Sequence, residues 1–83
     1  MALEEKEYIV EQTLRDMYLL LKRSQELADE MSEQLSGTAR DYMVTAAHMS
    51  ECTCTTLFGC AGALHLDLAK WAFEINKQRK EGK

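Results

Sequence analysis

The chain has 83 residues and a mass of 9.5 kDa, enough for one thin domain of the kind that often needs a staple or a partner. Charged residues make up 29% and hydrophobic ones 46%, which excludes a disordered chain. The net charge of −4 argues against nucleic acid as the main partner. No apolar run approaches the ~18–20 residues of a membrane-spanning helix. The acidic opening, Met1 to Glu7, lacks the basic and apolar regions of a signal peptide. The expectation is a soluble, acidic, cytoplasmic protein in a reducing setting, with no membrane partner.

The cysteines fit that setting. Cys52, Cys54 and Cys60 are odd in number, and on one helix Cys52 and Cys60 lie about 12 Å apart along the axis, beyond disulfide reach. They read as free thiols, mostly buried, acting as small hydrophobes.

In chain order, the first element is a helix over residues about 3–35. Its apolar positions follow a 3-4 repeat through Leu3, Val10, Leu14, Met17, Leu21, Ala28, Met31 and Leu35. A turn over 36–38 follows, with Gly37 suited to a left-handed conformation and Thr38 able to cap the next helix. A second helix is predicted over about 39–79. Its seam runs through Met43, Ala47, Cys54, Leu57, Ala61, Leu64, Leu68, Trp71 and Ile75. The threonines of 52–59, with Gly59 and Gly62 beside them, make a kink, a bulge or a break into a third helix possible there, and residues 80–83 are expected to fray.

Folding the chain back at Gly37 opposes the two seams in one register. Met31 meets Met43, Ser24 meets Ser50, Met17 meets Leu57, Val10 meets Leu64 and Leu3 meets Trp71. The expected architecture is all-α: a single domain over 1–83, built as an antiparallel two-helix hairpin whose long second helix overhangs. Leu64, on the inner seam, should then be a position where Leu64→Asp unfolds the protein.

A two-helix hairpin has one internal face, and this chain has more apolar residues than that face can bury. Each large side chain left wet forgoes ~1.5–3 kcal/mol. A dimer of hairpins, forming a four-helix bundle, solves this most simply. Helix 2 should be inner, because Glu51 is its only Asp, Glu, Lys or Arg from Tyr42 to Leu66. The interface residues expected from this are Tyr18, Leu20, Leu27, Phe58, Cys60, Ala63, Trp71 and Phe73, with the aromatics as candidate anchors for a partner. The acidic group Glu26, Asp29, Glu30 and Glu33 offers a patch to a basic partner.

Two further constellations carry chemistry. His48, Glu51 and Cys52 share one helix face at i, i+3 and i+4, a donor set suited to zinc or another transition metal. The hairpin register brings Glu26 opposite His48 as a fourth ligand. It also brings Arg23 opposite Glu51, which would make that carboxylate an ordinary ion-pair member. His65 lies on the same stripe, and in an antiparallel dimer His48 and His65 of different chains could meet. The alternative for both histidines is a hydrogen-bonded structural role. The Thr53–Gly62 segment is small enough to line a ligand pocket.

Catalytic residues and cofactors are not expected. The sequence holds no phosphate-cradling glycine loop and no Ser-His-Asp or Cys-His constellation that such a fold would assemble. The sequence points to a non-enzymatic protein–protein interaction module with a larger protein as partner, with metal binding and small-ligand binding as alternatives.

Overall fold

The computed structural model describes residues 3–81, with side chains over 7–79. The chain is all-α, in three helices: α1 (Leu3–Ser32), α2 (Gly37–Ala63) and α3 (Leu68–Glu81). The expected long second helix is therefore two. No helix among the described residues is long and apolar enough to cross a membrane.

α1 has no glycine or proline over its 30 residues. It stops at Ser32, short of the expected end, where the Ser32 hydroxyl donates to the Asp29 carbonyl at 2.8 Å and the Gln34 N–H donates to the Met31 carbonyl at 3.0 Å. Those bonds satisfy carbonyls the helix would otherwise leave open. Gly37 does adopt the left-handed region, at φ 64°, but as the first residue of α2. Ser36, at φ −141°, is the extended residue before it.

α2 runs unbroken through 52–59, where the sequence suggested a kink. Thr53, Thr55 and Thr56 each donate their hydroxyl to the carbonyl four residues back, at 2.9, 3.4 and 3.1 Å, and so satisfy themselves within the helix. The buried stripe Ala47, Cys54, Leu57 and Ala61 outweighs the weak local propensity.

The break falls instead at 64–67. The Leu66 N–H bonds the Ala61 carbonyl at 2.8 Å and the His65 N–H bonds the Gly62 carbonyl at 3.1 Å, with His65 at φ 60°. This is the paired-bond helix stop in which glycine is the usual left-handed residue, and here histidine takes that place. Asp67 then caps α3, its Oδ1 accepting the Lys70 N–H at 3.0 Å. No glycine or proline marks the stop in Leu64-His65-Leu66-Asp67, so it left no punctuation to read.

α1 and α2 lie against each other in the expected antiparallel register, with the Ser24 and Ser50 hydroxyls 3.5 Å apart. α3 turns back over one flank of this pair and runs in the direction of α1. Trp71 sits by Arg15, Asn76 by Tyr18 and Arg79 by Glu26. The expected overhang is thus folded in. Trp71 packs on Tyr18 rather than opposite Leu3, whose side chain lies outside the described residues. Residue 80 and Glu81 belong to α3, so the expected fraying from 80 is replaced by helix, and residues 82–83 lie outside the described residues.

The core is small: Leu14, Tyr18, Cys54, Leu57, Ala61, Leu68 and Ala72, with Val10, Leu21, Phe58, Leu66 and Trp71 packed around it. Tyr18 is its hub, 4% exposed. Its ring centroid is 5.7 Å from both Phe58 and Trp71, and its hydroxyl accepts from Asn76 Nδ2 at 2.9 Å. Arg15 lies 5.1 Å over the Trp71 ring. The molecule measures 52 × 28 × 18 Å with a radius of gyration of 15.4 Å. A compact chain of this length has about 12 Å.

Leu64 is a correction to the inner seam. It caps the C-terminal end of α2 and is 50% exposed. Leu64→Asp is therefore expected to cost no more than about 1 kcal/mol, whereas Leu57→Asp buries an unpaired charge and should cost about 3 kcal/mol or more. His65→Gly relieves the left-handed histidine and should add about 1 kcal/mol, raising the midpoint by about 4–8 °C. Thermal and urea unfolding followed by circular dichroism checks all three.

Candidate functional site

The most extensive unusual feature is the uncovered apolar surface. Among the described residues twelve large apolar side chains are exposed, and they include Tyr8, Ile9, Leu20, Leu27, Tyr42, Met49 and Phe73. The cause lies in the helix periods. α2 is apolar or small nearly all round, but α1 and α3 cover only one stripe of it. α1 is apolar on its α2 side and again on a neighbouring strip carrying Leu20, Leu27 and Met31. Between that strip and α2 lies an open groove of about 660 Å³, lined by Leu20, Leu27, Met31, Met43 and Ala46, with Arg23 and Glu30 at its edge.

The expected interface residues fall into two groups. Tyr18 is buried in the core, and Phe58 and Trp71 are half-buried against it, so these three aromatics hold the fold. Leu20, Leu27, Cys60, Ala63 and Phe73 are exposed, with Leu20 and Phe73 each at 71%. Leu20 and Leu27 line the groove. Met31 and Met43, expected in the inner seam, instead line this open groove together with Ala46. The signal was present: Leu20, Leu27 and Met31 are spaced on one strip of α1, offset from the Leu14–Leu21–Ala28 seam. The groove lies nearer the α1–α2 turn than the Thr53–Gly62 segment expected to line a pocket, and a Cβ at Gly59 or Gly62 would meet open space.

The histidine–carboxylate–thiol constellation assembles in part. His48 Nε2 and Cys52 Sγ are 3.5 Å apart on the exposed side of α2, as their i, i+4 spacing requires. Glu51 is exposed. No group of three or more His, Cys, Asp or Glu side chains converges among the described residues. His65 sits at the helix stop, and its ring is exposed.

The pairings expected for Glu26 and Arg23 change. Glu26 is bound by Arg79 of α3 at 2.5 Å and by Arg23 of its own helix at 3.5 Å, so it does not serve His48, and Arg23 does not pair with Glu51. The register gives height along the helix, whereas the 100° turn per residue sets the side, and Glu26 faces the flank that α3 occupies. The Arg79 hydrogen bond, together with the charges of Arg79 and Arg23, holds the Glu26 carboxyl below its ordinary value against an opposing effect of burial. Cys54 is buried, and burial pushes its thiol up, with Lys22 opposing and Glu51 adding to the shift. Cys52 and Cys60 are exposed, a correction to the expectation of mostly buried thiols. Their side of α2 has no cover from this chain.

Comparison of the chain with family models, curated proteins and solved structures gives no match.

Two measurements check this description. A thiol reagent should modify Cys52 and Cys60 rapidly in the native protein and Cys54 only on unfolding. Glu26 has a lowered folded value, so its contribution is full above the ordinary carboxylate range and is lost as pH falls through that lowered value. Acid titration followed by Trp71 fluorescence should show α3 loosening in that window, and Glu26→Gln should remove that part of the pH dependence.

Proposed function

We propose that the protein is a small non-enzymatic interaction module that works as a homodimeric helical bundle. It would act as an adaptor, chaperone-like subunit or inhibitor of a larger protein in the cytoplasm. Two α1–α2 pairs, each with its α3 on the outer flank, supply the four central helices of that bundle. The observation that carries the reading is surface area. The chain exposes 6423 Å². A compact monomer of 9.5 kDa exposes about 5,000 Å². The excess of roughly 1,400 Å² exceeds the ~800 Å² per partner of a standard interface. Self-association uses part of it, and what remains, with Tyr42 and Phe73 prominent, offers helix-face recognition to a second protein.

The His48–Cys52 contact supports a second reading, a metal-binding bundle in which these two residues donate and Glu51 or His65 completes the set. Native mass spectrometry of the untagged protein, prepared without chelator, separates the two. A bare dimer supports the interaction module, and pull-down then seeks the larger partner. A dimer with stoichiometric metal favours the second reading, and a bare monomer counts against both.

A further inference from the structure

We propose that the groove flank of α1 is a self-association surface that seats a second copy of this chain antiparallel, about a twofold axis beside Leu27. The inference rests on the homodimer reading above and adds the face and the register.

α3 occupies one flank of the α1–α2 pair, where Arg15 lies over Trp71 and Glu26 binds Arg79. The groove lies on the opposite flank. There Leu20 is 71%, Leu27 48% and Met31 44% exposed. From Leu20 to Gln34 the groove follows α1 for about 21 Å. A partner helix of that length fits within the excess surface, and a second copy supplies an identical apolar strip.

Charge selects the orientation. Arg23 and Glu30 both edge the groove. They are two turns apart on one side of the strip, with Leu27 between them along the axis. In an antiparallel twofold contact each edge meets its own copy reversed. Arg23 then lies opposite Glu30 of the partner subunit, and Glu30 opposite Arg23 of the partner subunit, so two ion pairs bracket the leucine contact. A parallel twofold contact would carry this charged edge to the opposite side of the partner's strip, where neither Arg23 nor Glu30 meets its counterpart of opposite charge. Both groups are available for this. Glu30 has no ion pair among the described residues, and Arg23, 62% exposed, holds Glu26 only at 3.5 Å while Arg79 holds it more closely.

The test is sedimentation equilibrium on the full chain, with circular dichroism as the folding control. The wild type is expected to dimerise. Leu27→Glu and Leu20→Glu should each weaken the dimer by about 100-fold with helix content unchanged, since both side chains are already exposed, at 48% and 71%. Arg23→Glu and Glu30→Arg should each weaken it about 10-fold, and the double exchange should restore it to within a few-fold of wild type. Val44→Glu, on the side of α2 turned away from Ala46, should leave it intact. A wild-type dimer that survives both leucine variants, or is lost only with Val44→Glu, overturns this face and leaves the homodimer reading standing. A double exchange no tighter than the single variants overturns the register. A wild-type monomer overturns the inference and the homodimer reading together.

Discussion

Tyr18 ties the three helices to one another. Its ring meets Phe58 of α2 and Trp71 of α3, and its hydroxyl takes the Asn76 amide. A core this small has few alternatives. The rest of the buried core cluster is alanine, leucine and one cysteine, and among the described residues no large side chain is fully buried. One aromatic with a satisfied polar end can therefore decide where a short third helix docks. Arg15 stacked on Trp71 and Arg79 bound to Glu26 fasten α3 at points on either side of that hub along α1.

The same economy explains the surface. Three helices of unequal length enclose one stripe of α2 and one of α1, and the remaining apolar positions stay in water. The small residues of α2 give it little to pack with at a distance but let another helix come close. The molecule is longer and thinner than a self-sufficient domain of its mass. The neutral outer side of α2 and the charged-edged groove of α1 are left uncovered by this chain.

The polar constellations divide by geometry. His48 and Cys52 meet because i, i+4 spacing on a continuous helix brings them together whatever surrounds the helix. Glu26 does not join them because it faces the flank where α3 brings Arg79 to its side, and a charge-assisted bond holds it there.

Some of this was determined by the sequence alone. Helical period, the turn near Gly37, the antiparallel Ser24–Ser50 register and the buried positions Ala47, Cys54, Leu57 and Ala61 follow from local spacing, which each helix expresses by itself. The i, i+4 contact of His48 with Cys52 was legible for the same reason. Only the tertiary structure decided the stop at His65, the return of α3, the burial of Tyr18, the exposure of Leu64 and the groove at Leu27. The reason is physical. A left-handed histidine costs local energy that only the docking of α3 offsets, and which flank α3 takes depends on side chains far apart in the chain. Periodicity states which residues share a face, and packing alone states which faces are covered.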